Sequence, residues 1–231
     1  MKKIGFIGIG LMGLPMAKNL LKAKYELKAF NRTIKKAEPL KEFGAEISQS
    51  IKEVVSNNDI IITMLTDDTS VDQVMKDESF LDNIKPGSTV IDMSSVKPET
   101  AKFHGENLKS KNVNYLDAPV SGGTIGAEEA ILAIMVGGEQ KVFDDNIDVL
   151  KVMGNPTLVG PLTSGQVSKL ANQIIVSLTI GAVAEAVTLC EKAGADPKKM
   201  IKALSGGWAD SKILQTHGHR MIDKDFTPKG R

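Results

Sequence analysis

A short glycine-rich segment near the N-terminus constrains the fold more than any other feature of this sequence. Gly8, Gly10 and Gly13 form the pattern G-x-G-x-x-G, directly after an apolar run and at the start of an amphipathic stretch. Between a strand and a helix, such glycines allow a tight turn, close approach of a pyrophosphate and close packing of helix on strand. The free N–H groups and positive end of the helix then favour phosphate. The segment predicts dinucleotide binding, with Leu11 and Met12 in the same turn; a turn that serves packing alone is the alternative.

Alternating strand and helix signals fill the first two-thirds of the chain. The strand candidates are Lys3–Gly8, Glu26–Phe30, Ile60–Leu65, Thr89–Met93, Asn114–Ala118, Ile131–Val136 and Thr157–Gly160. The helix candidates between them are Leu11–Ala23, Ile34–Phe43, Ser70–Lys76, Pro98–Ser110 and Gln140–Lys151. Some strand candidates are apolar on both faces, as buried parallel strands require. The alternation predicts an α/β fold of the Rossmann type, a doubly wound, mostly parallel sheet covered by helices.

Strand signals stop after residue 162, and the rest of the chain has helical patterning. Thr163 and Gln166 are spaced as a capping box, in which each residue satisfies an orphan backbone N–H of the other. The helix that follows runs to about Ala193, with Gly194 as its left-handed cap, and Asp196-Pro197 opens another. We expect a dinucleotide-binding domain at residues 1–162 and an all-α domain at residues 163–231 that begins with a long interdomain helix. So small a second module is expected to pack on the first domain or on another copy of itself.

Composition limits the partners and the compartment. Twenty-nine Lys and Arg against 28 Asp and Glu give a formal net charge of +1, whereas nucleic-acid binding through phosphates calls for a clear basic excess. Hydrophobic residues at 42% and charged residues at 25% exclude a bundle of membrane spans. Cys190 is the single cysteine, and glycines and Pro15 interrupt the N-terminal apolar stretch, unlike a signal peptide. We therefore expect a cytoplasmic protein that binds neither nucleic acid nor a membrane. We also expect no metal site, because the histidines and Cys190 lack the spacing of metal ligands.

The end of the second strand candidate bears on which dinucleotide binds. A site that prefers NAD tends to place Asp or Glu there, to hold the ribose 2′-hydroxyl. This chain has Asn31, Arg32 and Thr33 instead. A guanidinium can pair with the 2′-phosphate of NADP through a fork of hydrogen bonds, whereas a carboxylate would repel it. The segment favours NADP over NAD, with an exposed arginine at a helix start as the alternative.

Lys169 is the candidate proton donor for carbonyl chemistry. It lies one turn into the long helix, with Gly165 and Asn172 on the same face. Gly165 is expected to leave space above the ammonium, and Asn172 to orient it or the substrate. Half-burial would lower the pKa of the amine toward neutrality. A solvated surface lysine is the alternative interpretation.

A second polar segment follows the strand candidate Asn114–Ala118, at the expected carboxyl edge of the sheet, where ligands bind. Its sequence is D-A-P-V-S-G-G. Ser121 offers a hydroxyl, and Gly122 and Gly123 offer N–H groups that could hold a small carboxylate. A plain glycine-rich turn is the alternative.

Four separated signatures together resemble the β-hydroxyacid dehydrogenase family, which includes 3-hydroxyisobutyrate dehydrogenases and tartronate semialdehyde reductases. They are Gly8–Gly13, Asp92–Ser95, Asp117–Gly123 and the G-x-x-x-K-x-x-N pattern of Gly165–Asn172. The resemblance covers nearly the whole chain and implies a Rossmann domain followed by an all-helical domain that carries much of a dimer contact. Family members continue with further helices, so the resemblance also implies that this chain is truncated.

The resemblance implies roles for individual residues. Lys169 would be the general acid when a carbonyl is reduced and the base when an alcohol is oxidised. Ser95 would lie near the nicotinamide, and we also assign Leu65 to the cofactor. The residues that would hold the substrate are Ser121, Gly122, Gly123 and Asn172.

These features lead us to expect an NADP-preferring dehydrogenase or reductase of small 3-hydroxy acids and their aldehyde or keto partners. The helical domain would join it into a homodimer or homotetramer. Two alternatives stay open, a non-catalytic dinucleotide-binding module and an imine-reducing relative.

Overall fold

The computed structural model describes residues 2–227. The chain divides into two compact units between Lys169 and Leu170. This division falls inside a helix that begins at Ser164, just after the predicted domain boundary at residue 162.

A nine-stranded sheet forms the centre of the first unit. Its strands are β1 Lys3–Ile7, β2 Glu26–Phe30, β3 Glu46–Ile47, β4 Ile60–Thr63, β5 Thr89–Asp92, β6 Asn114–Asp117, β7 Val120–Ser121, β8 Leu132–Gly137 and β9 Gly154–Gly160. Their order is β3-β2-β1-β4-β5-β6-β8-β7, and β9 pairs with β8. Pairs from β3 to β6 are parallel, β6 and β7 run antiparallel to β8, and β9 is parallel to β8. The structure confirms the predicted Rossmann-type, mostly parallel sheet.

Helices pack on both faces of this sheet. They are α1 Gly13–Lys22, α2 Ile51–Val55, α3 Asp68–Met75, α4 Glu78–Leu81, α5 Pro98–Ser110, α6 Gly123–Glu128 and α7 Gln140–Lys151. Successive side chains of a strand point to opposite faces. Ile60 and Ile62 therefore pack in the core that includes α1, α6 and α7, and Ile61 packs in the core that includes α2 to α5. Two buried cores explain why the central strands are apolar throughout, and they confirm the doubly wound arrangement.

The segment after β2 differs from the sequence-based prediction. The helix predicted at Ile34–Phe43 is wrong, because two 3₁₀ segments, Ile34–Lys36 and Glu38–Phe43, occupy this stretch. Pro39 has no N–H, and its ring would clash with the carbonyl four residues earlier, so a continuous α-helix cannot cross it. The strands β3 and β7 are two residues each, too short to leave a periodic signal in the sequence.

A long helix leads into the second unit, as predicted. The helices here are α8 Ser164–Lys192, α9 Pro197–Leu204 and α10 His219–Ile222, with a π-helical turn at Leu214–Gly218. Gly194 after α8 has φ +74°. Asp196 caps α9 by accepting the N–H of Lys198 at 2.9 Å. The structure confirms both predicted helix ends.

Most apolar side chains of α8 are exposed. Ile174, Ile175 and Leu178 are 62%, 64% and 70% exposed. The core of the second unit is small, and its buried members are Val183, Val187, Ile201 and Leu214. By length and composition alone α8 could cross a membrane, with a mean hydropathy of 1.8 in its apolar window, of which 11% is buried.

Candidate active site

The order of strands reverses at β1, which has β2 on one side and β4 on the other. In open α/β sheets, ligands bind at such a switch point, beyond the carboxyl ends of the strands. The glycine turn follows β1, Asn31 follows β2, and Met64 and Leu65 follow β4. The fold thus brings the predicted glycine turn, Asn31 and Leu65 to one edge of the sheet.

The three glycines of the turn differ in what surrounds them. Gly8 has φ +104°, and a side chain there would collide with the Met64 carbonyl oxygen. A Cβ at Gly13 would collide with the Gly8 carbonyl oxygen, so only glycine lets α1 begin this close to β1. Gly10 is exposed and has nothing within 4 Å of an added Cβ. This open backbone position fits a pyrophosphate.

The rest of the turn connects strand to helix. Leu11 is 70% exposed, and Met12 is the residue before α1, half-buried against the core. The helix begins at Gly13 rather than at Leu11 as predicted, because residues 8–12 form the turn itself.

A pocket of about 200 Å³ lies beside the glycine turn. Its lining comprises Ile7, Gly8, Gly10, Phe30, Asn31, Arg32, Thr33, Lys36, Met64, Leu65, Thr66, Ser70, Gln73 and Val74. Asn31 holds the turn in place, since its Oδ1 accepts the N–H of Ile9 at 3.0 Å and its Nδ2 donates to the Thr33 carbonyl at 2.9 Å. The predicted Asn31, Arg32 and Thr33 all reach this pocket, which has room for part of a nucleotide.

Two cations line the pocket. Arg32 is exposed, and within residues 2–227 its side chain makes no ion pair or hydrogen bond. Lys36 lies one turn further along, and the sequence reasoning missed it. A basic residue four positions after Arg32 was the available signal, since a helical or 3₁₀ turn returns such a residue toward the same side.

Ser94 connects β5 to the cofactor edge, directly before the predicted Ser95. The Ser94 hydroxyl accepts the N–H of Leu65 at 2.9 Å, and its own N–H donates to Asp92 Oδ1 at 3.0 Å. Ser94 is buried, whereas the predicted Ser95 is exposed and follows it directly. The signal for Ser94 was its place two residues after Asp92, the spacing of an aspartate turn.

The candidate proton donor and the D-A-P-V-S-G-G segment lie together. The Lys169 amine donates to the Val120 carbonyl oxygen at 2.8 Å, one residue before Ser121. Lys169 is half-buried, and burial lowers the pKa of its amine from the ordinary value. Ser121 is half-buried in β7, and Gly122 and Gly123 are exposed at the start of α6, both with positive φ. The structure therefore places the Lys169 amine against the residue that directly precedes Ser121, Gly122 and Gly123.

The start of α8 corrects two predictions. The capping box is wrong: Thr163 has φ +82°, and the Gln166 side chain donates to the Ser94 carbonyl at 2.9 Å. Asp117 caps the helix instead, by accepting the N–H groups of Thr163 and Gln166. Nor does Gly165 leave space above Lys169. A Cβ there would come within 3 Å of Asp117 and of the Met135 carbonyl oxygen, so this glycine permits close backbone packing.

Asn172 belongs to the second unit, one helical turn beyond Lys169 on α8. Its Nδ2 donates to Oε1 of Gln173 at 2.9 Å. Across residues 2–227, no group of three His, Cys, Asp or Glu side chains is placed to hold a metal ion.

The comparisons with known proteins cover both parts of the chain. Residues 3–160 match the family described as the NAD binding domain of 6-phosphogluconate dehydrogenase. Residues 163–231 match the family described as NAD-binding of NADP-dependent 3-hydroxyisobutyrate dehydrogenase.

Individual relatives are similar over most of their length. The 2-hydroxy-3-oxopropionate reductase of Escherichia coli is 44% identical over 229 residues, which cover 98% of this chain and 78% of that protein. The 3-hydroxyisobutyrate dehydrogenase of Mycobacterium tuberculosis has a TM-score of 0.86 at 30% identity, covering 94% of this chain and 74% of that one. An imine reductase from a Pseudomonas species, with a TM-score of 0.79 at 23% identity over 97% of this chain and 78% of that one, shows the fold alone. The sequence signatures, the Rossmann-type sheet and these matches together show that the chain belongs to the β-hydroxyacid dehydrogenase family, whose members are NAD(P)-dependent oxidoreductases.

Proposed function

We propose that this protein interconverts a small 3-hydroxy acid and its aldehyde or keto acid, with NADP as coenzyme and Lys169 as general acid and base. The observation that carries the proposal is the 2.8 Å contact between the Lys169 amine and the Val120 carbonyl oxygen. It holds a half-buried amine beside the Ser121–Gly123 turn. The names of the two relatives support a short carboxylate with an oxygen function on its third carbon.

The chain's own residues can supply the proton chemistry. Burial lowers the pKa of the Lys169 amine, which brings its proton transfer closer to neutral pH. In reduction, the ammonium would give a proton to the oxygen that becomes negative; in oxidation, the neutral amine would accept the hydroxyl proton. The coenzyme, when bound, supplies or takes up the hydride.

Substrate and coenzyme would be held by different parts of the chain. The Ser121 hydroxyl and the N–H groups of Gly122 and Gly123 would bind the substrate carboxylate, with Asn172 assisting. The coenzyme-binding set would be Gly8, Gly10, Leu11, Met12, Gly13, Asn31, Arg32, Thr33, Leu65 and Ser95.

Replacement of Lys169 tests the proposed chemistry. A positioned acid–base group contributes about 10²–10⁴-fold, so Lys169→Ala should lower kcat by that factor and leave NADPH binding unchanged. The assay is NADPH absorbance with 2-hydroxy-3-oxopropionate, and NADP reduction with 3-hydroxyisobutyrate. Lys102→Ala, at an exposed lysine of α5, is the matched control. Full activity of Lys169→Ala would contradict the role.

The same assay separates the two alternatives. Turnover of cyclic imines without turnover of either hydroxy acid pair would favour an imine reductase. Tight NADPH binding without turnover of any substrate would favour a non-catalytic module.

The preference for NADP is supported by Arg32 and Lys36, which line the pocket beside the glycine turn. Arg32→Asp should weaken NADPH binding by about 1.5–3 kcal/mol, the range for hydrogen bonds to charged groups, and change NADH binding far less. Lys35→Asp makes the same kind of charge change at a residue outside the pocket lining, so it should weaken NADPH binding less. Affinity for NADPH is measured by fluorescence titration. Equal NADPH affinities of the Arg32→Asp and Lys35→Asp variants would contradict the role of Arg32 in NADP preference.

We also propose that the exposed apolar face of α8 joins copies of this chain into a homodimer or homotetramer. Ile174, Ile175 and Leu178 support this, because contiguous exposed apolar surface marks an interaction site. Light scattering after size-exclusion chromatography should give a molar mass that is a multiple of the 24.8 kDa of one chain. The Ile175→Asp variant should have the mass of a single chain. A monomeric wild type that sediments with lipid vesicles would favour a membrane partner instead.

The lone Cys190 supports the cytoplasm as the compartment of this protein.

A further inference from the structure

The first turn of α8 is anchored by a fully buried carboxylate. Asp117 is the last residue of β6, and its two oxygens accept the N–H of Thr163 at 2.9 Å and of Gln166 at 2.8 Å. N–H groups at a helix start have no partner within the helix, and a negative charge there also meets the positive end of the helix dipole. Asp117 therefore fixes the point in the sheet at which α8 begins.

The backbone packs closely around this carboxylate. A Cβ at Gly137 would lie 2.7 Å from the Gly165 backbone nitrogen and would collide with Asp117 Oδ1. Thr163 has φ +82°, an unfavourable conformation for a β-branched residue. Such a conformation persists only where surrounding contacts enforce it. The hydrogen bond from the Thr163 N–H to Asp117 is one of those contacts.

Gln166 provides a second anchor for the same turn. Its side chain is 1% exposed, donates to the Ser94 carbonyl at 2.9 Å and accepts the N–H of Val96 at 3.2 Å. The first turn of α8 is therefore fixed both to the end of β6 and to the segment after β5.

Lys169 follows Gln166 by one helical turn, and its amine returns to the Val120 carbonyl oxygen. Residues 117–120 thus contact α8 at two points. The Asp117 carboxylate binds the N–H groups at the start of the helix, and the Val120 carbonyl oxygen binds the Lys169 amine. We propose that Asp117 is a positioning residue for Lys169, which it holds in place through the first turn of α8; this inference rests on the proposed function. The hydroxyl and N–H groups of the turn after Val120 then sit at a fixed place relative to the amine.

Asp117→Asn tests this inference. An amide has one oxygen and one NH₂ group, so it can accept only one of the two N–H groups, and its NH₂ opposes the other. Because a displacement of about 1 Å can cost 10²-fold in rate, we expect kcat to fall by about 10- to 100-fold. The KM for NADPH should stay within about twofold, because Asp117 makes no contact with the coenzyme pocket.

A second readout reports on the amine without requiring turnover. Competitive acetylation of lysines across a range of pH, followed by mass spectrometry, gives the pKa and accessibility of each amine. In Asp117→Asn the Lys169 amine should become more accessible and its pKa should rise toward the ordinary value, while the exposed Lys102 serves as the internal reference. Asn146→Ala is the matched control. It removes another buried polar side chain of the first unit, bonded to Val142 and Thr89, and should leave both readouts unchanged.

Gln166→Met keeps the inference testable if Asp117→Asn fails to fold. It preserves the side-chain length and removes only the bonds to Ser94 and Val96, so a smaller fall in kcat and a similar change in Lys169 acetylation are expected. Unchanged kcat and unchanged acetylation of Lys169 in the folded variant would overturn the positioning role. If the wild type shows no turnover but Asp117→Asn still changes the acetylation of Lys169, the positioning role stands and the proposed function is wrong.

Discussion

Asp117 should make the folded protein less stable as the pH rises from weakly acidic to neutral. Burial raises the pKa of this carboxyl from 3.8 to about 6, and the nearby Asp92 carboxylate adds to the rise. The hydrogen bonds from Gln166 and Thr163 act in the opposite direction. A group with a raised folded-state pKa contributes most stability below its unfolded pKa and loses it as the pH passes through the folded pKa.

The size of this effect follows from the two pKa values. A difference of about two pKa units corresponds to about 3 kcal/mol over the whole window, at about 1.4 kcal/mol per unit. Between about pH 4.5 and pH 7, a single group with these two pKa values accounts for about 2 kcal/mol of that change. The ionised carboxylate is thus retained at neutral pH at a cost in stability, offset in part by its two hydrogen bonds.

Asp117→Asn isolates this contribution, because an amide does not titrate and all other groups are shared. Urea unfolding of both proteins gives the free energy of unfolding at each pH. The difference, wild type minus variant, should fall by about 2 kcal/mol between about pH 4.5 and pH 7. A difference that stays constant, or that increases with pH, would refute the reasoning and place the folded-state pKa of Asp117 at or below its ordinary value.

Three other substitutions test the fold more directly. Gly10→Ala should leave the free energy of unfolding unchanged or slightly higher, since its Cβ meets nothing within 4 Å, but should abolish NADPH binding measured by fluorescence. Gly13→Ala should lower the free energy of unfolding by about 1–3 kcal/mol, because its Cβ collides with the Gly8 carbonyl; equal stability of the two variants would contradict the packing argument. Asp196→Ala should lower stability by about 0.5–2 kcal/mol through loss of the α9 cap, whereas Lys202→Ala on the same helix should change it little.

Most elements of the first unit could be predicted because the residues that determine each strand, helix or turn are close together in the sequence. Glu26–Phe30, Pro98–Ser110 and Gln140–Lys151 have the bounds expected from their sequence patterns. The glycine turn was predictable because a G-x-G-x-x-G pattern between strand and helix has few other uses. Pro39 was also a local signal against the helix predicted across it, and it outweighed the apolar spacing on which that prediction depended.

Contacts between distant segments could not be predicted in the same way. Thr163 and Gln166 have the local spacing of a capping box, but the carboxylate that caps α8 lies 46 residues before Thr163. Gly165 is likewise explained by the strands beneath it and not by its neighbour Lys169. Where a helix start packs into a sheet, tertiary contacts decide which group satisfies its N–H donors, and a single sequence does not contain that pairing.

The partner of the Lys169 amine is a main-chain carbonyl, and this has a consequence for altering the protein's selectivity. Every amino acid at position 120 presents the same oxygen, so substitution there does not remove the acceptor. The side chain at position 120 can be changed while the Lys169 amine keeps its acceptor. A library confined to position 120 should therefore keep the contact of the amine, whereas replacement of Gly122 or Gly123, whose φ angles are positive, should not be tolerated.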